Sequence, residues 1–400
     1  MLSVKSARYD AARGRASLQT PTRDALVAVM ADGTHLVFFL HGVDGRPREF
    51  NLMTRAFKEK LPSSVKLHVC ASFHGITHRG GAAAAKAVAA ELSTVIERTR
   101  CDRLSVVCHS YGGVVMAYAL HLLGSTLDGV SLLNYIALAT PFLGIRGSLL
   151  GTTGLNILPL AATRPIAKRL STTVMELTLE DEHTDEPSSV ATATAASSSS
   201  PPQPPQPQRP QPFLRRVSRP DVLNILNRFD RRVLYSNIHG DLSVGYESAA
   251  LLPSKPNGFT RSVEWPHVTA ESACGKRHHQ AVSRSAGNGG SAAYYDDGQE
   301  VEVEVEALPD ESPWLRRDAR RHTIRSILRS YWTLNWERYD VSIGFGSALL
   351  ASPLAHEQII GKRFGGAMED RRGKDVIDHL ISGFRVGHEG RAEGEAVAIT

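Results

Sequence analysis

Cysteine is scarce in this sequence, which has four in 400 residues, at positions 70, 101, 108 and 274. No two of them form a CxxC pair, and their wide spacing argues against both a zinc ribbon and a disulfide framework. So little cysteine is typical of a protein from a reducing compartment. We therefore expect an intracellular protein, either cytoplasmic or in peripheral contact with a membrane.

Long apolar runs are missing as well. Residues 148–163 come nearest to one, but Gly, Thr, Asn and Pro interrupt them, so we predict no membrane-spanning helix. The first 20 residues lack the apolar core of a signal peptide, which argues against secretion. They contain arginine and little acid, a composition that leaves a mitochondrial presequence open.

A strong charge of either sign is the third feature that the sequence lacks. The 46 Lys and Arg exceed the 41 Asp and Glu by five, an excess too small to indicate a nucleic-acid partner. Hydrophobic residues make up 42% and charged residues 22%, which is typical of a globular protein. We therefore expect a folded chain with no nucleic-acid partner.

Two low-complexity insertions interrupt the chain. Seven of the 21 prolines fall in residues 201–212, within a Ser-, Pro- and Gln-rich stretch, and we predict a disordered insertion over about residues 183–218. A ligand for SH3-like modules is the functional alternative for this stretch. The second insertion, about 253–313, is variable in composition and contains EVEVEVE at 300–306. Its strict alternation predicts an edge strand, in preference to a metal site.

The remaining chain alternates between strand and helix patterns, which predicts an α/β fold with a mostly parallel central sheet flanked by helices. We divide it into an N-terminal extension (1–30), one domain (31–386) with a cap region at about 148–181, and a tail (387–400). The predicted strands cover residues 36–40, 65–70, 104–107, 132–139 and 232–238, and the helices include 82–97 and 114–123.

The motif Cys-His-Ser-Tyr-Gly-Gly at 108–113 lies between a predicted strand and a predicted helix. A serine in this context occupies a strained turn with its hydroxyl exposed, so Ser110 is the candidate nucleophile. The turn needs small residues two before and two after the serine. Gly112 meets the second need, and Cys108 stands where the G-x-S-x-G pattern has glycine. The alternative is a Gly-containing turn that opens an ordinary Rossmann-like helix.

An activated serine also requires an oxyanion hole, which is usually made of two backbone N–H groups. The strand at 36–40 ends in His-Gly-Val-Asp-Gly, where α/β hydrolases place one donor. We predict the N–H of Val43 as that donor and the N–H of Tyr111 as the other. His41 is predicted to shape the loop, since the base comes last in the chain of this fold.

The order Ser, then Asp or Glu, then His narrows the search for the acid and the base. Asp241 directly follows the strand at 232–238 and is the candidate acid, with Glu247 as the alternative. His356 is the candidate base because it lies in a predicted loop after the strand-like region 341–345, whereas His379 lies on a helix pattern and is expected to be a packed core or surface residue. The other histidines after Asp241 are His267, His278, His279, His322 and His388.

Four stretches resemble the putative serine esterase (lipase-like) family of α/β hydrolases, at 35–45, 104–120, 136–147 and 229–251, with a weaker fifth from 355 to 380. The resemblance implies an α/β-hydrolase fold and cleavage of carboxylic esters, lipid acyl esters among them. It implies Ser110 as nucleophile, Asp241 as acid and His356 as base, with no metal and no other cofactor. The departure is Cys108, where the family has glycine.

Substrate and surface features leave alternatives open. The apolar residues of the cap region are expected either to contact an acyl chain or to pack the core: Leu149, Leu150, Leu155, Ile157, Leu158 and Leu160. Residues 315–330 carry six arginines on an amphipathic pattern, which fits contact with a membrane or lipid droplet or, more commonly, a solvated helix face. A catalytically inactive scaffold that recruits partners through the Pro-rich insertion is the second functional hypothesis, and acyl transfer is a variant of the first.

Overall fold

The computed structural model describes residues 6–10, 15–19, 33–145, 171–181, 211–241, 243–255, 268–272, 311–343, 354–362 and 373–387. Within these residues, seven strands form one sheet in the order β4-β3-β5-β6-β7-β9-β8. Six of them are parallel, and β8 pairs with β9 antiparallel at one edge. A separate antiparallel pair joins β1 to β2 in the predicted N-terminal extension. The strand bounds are β1 (Ser6–Asp10), β2 (Arg15–Gln19), β3 (His35–Leu40), β4 (Val65–Val69), β5 (Arg103–His109), β6 (Ser131–Leu138), β7 (Arg231–Asn237), β8 (Val268–Ser272) and β9 (Glu337–Val341).

Helices cover both faces of the sheet. Their bounds are α1 (Asn51–Lys60), α2 (Gly81–Thr99), α3 (Tyr111–Leu123), α4 (Thr172–Leu177), α5 (Phe213–Val217), α6 (Pro220–Asn227), α7 (Tyr246–Ala250), α8 (Pro313–Arg317), α9 (Arg321–Tyr331), α10 (Leu354–Gln358) and α11 (Lys374–Ser382), with short 3-10 helices at Pro47–Phe50 and Gly124–Leu127. This arrangement confirms the predicted α/β fold with a mostly parallel sheet flanked by helices.

Strand β3 shows why the sheet is buried on both sides. Leu36, Phe38 and Leu40 point into a core shared with α2 and α3, whereas Val37 and Phe39 point into a second core shared with α1 and α11. Alternate residues of a strand face opposite sides, so a strand between two helical layers must be apolar throughout. The continuous run at 36–40 therefore reflects burial on two faces.

Two predicted boundaries are wrong. The strand-like region predicted at 341–345 lies earlier, since β9 ends at Val341. The strand was missed because Arg338 and Asp340 are polar, yet both are buried and satisfied: Arg338 donates to the carbonyl of Ala250 (2.8 Å), and Asp340 accepts from the Tyr246 hydroxyl (2.7 Å). A polar residue in a sequence pattern indicates a loop, because burial of a polar side chain is unfavourable without a hydrogen-bond partner. The sequence alone does not show that partner.

The predicted disordered insertion, about 183–218, extends too far. Its last residues form helix α5, in which Phe213, Leu214 and Val217 are buried. The backbone N–H of Phe213 donates to Asp181 (2.6 Å), so the two ends of the insertion meet. Three apolar residues within five are enough to attach the segment to the core despite the Pro-rich sequence before it.

Other predicted features fall partly or wholly outside the described residues. These are the run at 300–306, the Pro-rich stretch at 201–210 and the apolar cap residues from Leu149 to Leu160. Strand β8 arises within the second insertion and was not predicted. The apolar side of α9, formed by Ile324, Ile327, Leu328 and Tyr331, packs in the core. Among the described helices, none has both the length and the hydropathy needed to cross a bilayer.

Candidate active site

Ser110 lies on a sharp turn between β5 and α3. Its backbone adopts φ 54° and ψ −135°, a region that non-glycine residues rarely occupy and that costs about 1–3 kcal/mol. The turn is held in place because the N–H of Ser110 donates to the carbonyl of Leu138 on the neighbouring strand (2.8 Å). Such backbone strain persists only where the surrounding structure enforces it, and it is concentrated at functional sites.

Close backbone approach around Ser110 explains the glycines of the motif. A Cβ atom on Gly112 would lie 2.3 Å from the carbonyl oxygen of His41, and one on Gly42 would lie 2.6 Å from the Cβ of Ser110. No side chain fits at either position. Cys108, which replaces the usual glycine, is fully buried in the core, and burial raises the pKa of its thiol well above the ordinary value. It acts as a small neutral core residue.

His356 and Asp241 form a hydrogen-bonded pair. The Nδ1 atom of His356 lies 2.9 Å from Oδ2 of Asp241, and both side chains are buried. Asp241 also accepts hydrogen bonds from the backbone N–H groups of Ser243 (3.0 Å) and Val244 (2.8 Å). These bonds fix the carboxylate in the turn after β7.

The electrostatics of the pair favour ionisation of both members. Burial opposes charge on Asp241, but the attraction of His356 and the hydrogen bonds that the carboxylate accepts bring the pKa of Asp241 below its ordinary value. Burial also opposes charge on His356, but Asp241 outweighs it and raises the pKa of the imidazole. A carboxylate that stabilises an imidazolium in this way is the arrangement that a general base needs.

The imidazole of His356 lies against the turn at residues 108–113 that carries Ser110, which we call the elbow. The ring of His109, the residue before Ser110, is 4.7 Å from the ring of His356, centroid to centroid. Among the described residues, Ser110 makes no hydrogen bond to His356. Bonds of this kind often tighten only when substrate is bound. The structure thus brings His356 and Asp241 into direct contact, and places both beside the turn that carries Ser110.

Val43 and Tyr111 are placed next to Ser110 by different elements. Val43 follows Gly42, in a turn closed by a bond from the N–H of Gly45 to the carbonyl of Gly42 (3.2 Å). Tyr111 is the first residue of α3, so its N–H has no partner inside the helix. Both backbone N–H groups therefore belong to residues beside the Ser110 turn, and their role as oxyanion donors stays a prediction.

His41 and His379 have the surroundings expected of structural residues. His41 hydrogen-bonds through Nδ1 to the carbonyl of Gly42 (2.9 Å) and stacks on Phe73, and burial lowers its pKa. His379 is buried in α11 and hydrogen-bonds to the hydroxyl of Tyr235 (2.8 Å). Neither contacts the Asp241–His356 pair through a described hydrogen bond.

Asn237 is a site residue that sequence reasoning missed. It is the last residue of β7, and its Nδ2 donates to Asp241 (3.0 Å) and to the carbonyl of Ala355 (3.2 Å). It therefore joins the acid to the helix that carries His356. The only signal in the sequence is a polar residue at the end of a buried strand, four positions before Asp241.

Glu176 is the second missed residue. It is buried in α4, accepts from the N–H of Gly81 (2.7 Å) and hydrogen-bonds to the hydroxyl of Tyr111. Burial raises the pKa of its carboxyl group to about 7. Through Glu176, the described end of the predicted cap region is attached to the residue after the serine.

A second polar link holds the same segment to the Val43 loop. His78 hydrogen-bonds to Asp44 through Nε2 (2.7 Å) and to Ser171 through Nδ1 (2.9 Å). Thr173 donates to the carbonyl of Thr77 (2.8 Å). Residues 171–181 are therefore fastened to the loops on one side of the elbow by several independent hydrogen bonds.

Comparison with known proteins finds one family model that matches the chain. The family model described as Putative serine esterase (DUF676) matches residues 30–255, which is more than half of the chain. The matched region includes the elbow, both candidate oxyanion donors and Asp241, and it ends before His356. No curated protein matches the sequence.

Solved structures that are similar to this chain include three esterase-like proteins. They are a cutinase-like protein from Cryptococcus sp. (13% identity, TM-score 0.22, covering 28% of this chain and 56% of that one), lipase B from Aspergillus fumigatus (15%, 0.25, 34% and 33%) and Est1E from Butyrivibrio proteoclasticus with ferulic acid (12%, 0.29, 54% and 73%). The chain thus spans less than two thirds of the first two proteins.

Proposed function

Because the chain belongs to the putative serine esterase family, we propose that it hydrolyses carboxylic esters through an acyl-enzyme formed at Ser110. The observation that most supports this proposal is the buried Asp241–His356 pair, which lies beside a strained serine turn. A buried imidazolium or carboxylate is unfavourable unless an oppositely charged partner is in contact with it. Their position at the carboxyl edge of the sheet favours a catalytic role over a purely structural one.

The proposed mechanism assigns one role to each group. The Nδ1–H of His356 donates to Asp241, which leaves Nε2 free to accept the proton of the Ser110 hydroxyl as its oxygen attacks the ester carbonyl. The N–H groups of Val43 and Tyr111 stabilise the oxyanion. His356 then gives the proton to the departing alcohol, which leaves the acyl group on the Ser110 oxygen. His356 next deprotonates a water molecule, whose oxygen attacks the acyl carbonyl. The ester bond to Ser110 breaks, the carboxylic acid leaves, and the proton passes from His356 to the Ser110 oxygen.

We extend the proposal to lipid acyl esters as substrates. The supporting observation is the apolar sequence at 148–160, which precedes α4. Helix α4 is itself attached to Tyr111 through Glu176. The apolar residues that precede α4 in the chain are suited by composition to bind an acyl chain, since burial of apolar surface would supply the binding energy. Chain-length dependence of kcat/KM on p-nitrophenyl esters tests this extension: a preference for acetate over longer acyl chains would contradict it.

A fluorophosphonate probe tests the proposed nucleophile, because it reacts only with an activated serine. We expect the wild type to be labelled and Ser110→Ala to be unlabelled, with Ser93→Ala on helix α2 as a matched control that labels normally. His356→Gln and Asp241→Asn should label much more slowly. A folded wild type that does not react would instead favour the scaffold hypothesis, in which the Pro-rich insertion recruits partners.

A further inference from the structure

Helix α10, which carries His356, is too short to hold its own position. It has five residues, and a helix of this length is not stable without tertiary contacts. Asn237 supplies one such contact, at the carbonyl of Ala355. Lys362 supplies another, since its Nζ atom lies 2.6 Å from Glu357 and 2.8 Å from Glu49.

His109 contacts His356 most directly. Its Nε2 atom lies 2.8 Å from the backbone carbonyl oxygen of His356, and the side chain is buried. A carbonyl oxygen can only accept, so Nε2 must carry the hydrogen. Among the described residues, Nδ1 of His109 has no partner, so the bond to His356 is the one hydrogen bond that this side chain makes there.

The surroundings keep His109 neutral. Burial lowers the pKa of His109 to about 3, and the charged groups that face it, His356, Glu357 and Lys362, do not reverse that effect. The imidazole therefore remains a neutral donor at any pH at which His356 can act as a base.

We propose that His109 is a positioning residue that ties the base to the nucleophile. It directly precedes Ser110 in the chain and hydrogen-bonds to the backbone of His356, so one residue links the segments that carry the two reacting groups. This inference deepens the proposed function and rests on it. A displacement of about 1 Å in a reacting group can lower the rate on the order of 100-fold. Loss of a contact that fixes the position of His356 can therefore lower the rate by a similar factor.

Two amides of different length provide the test. In His109→Gln the amide nitrogen is placed near the position of Nε2 and keeps the bond, whereas in His109→Asn the shorter side chain does not reach the carbonyl. We expect kcat of the Gln variant to stay within about threefold of the wild type and kcat of the Asn variant to fall about 10- to 100-fold, with KM of both nearly unchanged. His109→Phe, which keeps the ring and loses the donor, should behave like Asn.

The outcomes separate this inference from the proposed function. A wild type that neither hydrolyses esters nor reacts with the fluorophosphonate would contradict the proposed function. An active wild type with equal kcat for the Gln and Asn variants would overturn the positioning role. Thermal unfolding of each variant monitors the fold, and if all three variants fail to fold, His109 is a structural residue and the proposal falls.

Discussion

At the scale of single residues, the site depends on two glycines whose surroundings leave no room for a side chain, and on two charged side chains that pair with each other. Gly42 and Gly112 are required by close approach to Ser110 and to the carbonyl of His41, respectively. Asp241 and His356 depend on each other, because removal of either would leave the other buried without its oppositely charged partner. The chemistry of the site is thus set by a few contacts with little tolerance for change.

The pH dependence of activity follows from the pair. His356 must be neutral to act as a base, and Asp241 raises its pKa, so activity should fall as the pH drops through that raised value. In Asp241→Asn the attraction is lost while burial remains, which lowers the pKa of His356. We expect the acid limb of the kcat/KM profile to shift to lower pH and kcat to fall about 10⁴-fold, as in other serine hydrolases.

The matched control for that profile is Asp378→Asn, which removes a carboxylate from a surface ion pair with Lys60. Its profile should coincide with the wild type. An acid limb that stays in place in Asp241→Asn would show that a different carboxylate supports the base, with Glu247 as the next candidate.

Gly112 provides a test of the elbow geometry. In Gly112→Ala the new methyl group would meet the backbone carbonyls of His41 and Leu40, at 2.3 Å and 2.7 Å, and backbone cannot move aside cheaply. We expect a loss of about 2 kcal/mol or more in the free energy of unfolding, measured by urea denaturation. Gly245→Ala is the control, because its added Cβ has only an ordinary contact with Glu247. Equal stability of the two variants would contradict the packing described for the elbow.

At the scale of elements, the sequence was most informative where burial is apolar. Strands β3, β5, β6 and β7 were predicted to within about two residues because apolar runs mark strands covered on both faces. Strand β9 was misplaced because Arg338 and Asp340 are buried with polar partners from α7. Helix α10, which was predicted as a loop, is fixed by hydrogen bonds from Asn237 and His109, and no local pattern encodes those contacts.

Helix α4 gives a prediction at the same scale, through the raised pKa of Glu176. An unfolded glutamate has a pKa near 4.5, and the folded value is about 7, so between these values the native state binds more protons than the unfolded state. Stability must therefore fall as the pH rises through this window, by up to about 3 kcal/mol.

Glu176→Gln should remove that dependence, because an amide does not titrate and can still accept from Gly81. Other groups titrate in both proteins, so the signature is the difference between them: the free energy of unfolding of the wild type should fall relative to that of the variant between pH 5 and pH 8. Urea denaturation at several pH values measures this, and parallel curves for the two proteins would contradict the buried position of the carboxylate.

At the scale of the whole molecule, the candidate site unites segments that are far apart in sequence. Motif, chain order and the family resemblance predict Ser110, Asp241 and His356 as nucleophile, acid and base. The structure brings Asp241 and His356 into contact beside the turn of Ser110, and the three roles stay predictions. Asn237, His109 and Glu176 could not be predicted in this way, since their roles depend on which loops the sheet brings together. Their catalytic consequences remain predictions until the variants are measured.

The Pro-rich insertion yields the last prediction. Its ends are joined where the N–H of Phe213 hydrogen-bonds to the buried Asp181, so folding must bring the two ends of the chain between these residues together, which closes a loop. Deletion of residues 185–207 shortens that loop about fourfold, and the smaller entropy of closure should raise the free energy of unfolding by about 1 kcal/mol. We expect the denaturation midpoint to rise and kcat/KM to stay within about twofold. A folded deletion variant without esterase activity would mean that the insertion contributes to the site, whereas retained activity would assign it a role outside catalysis.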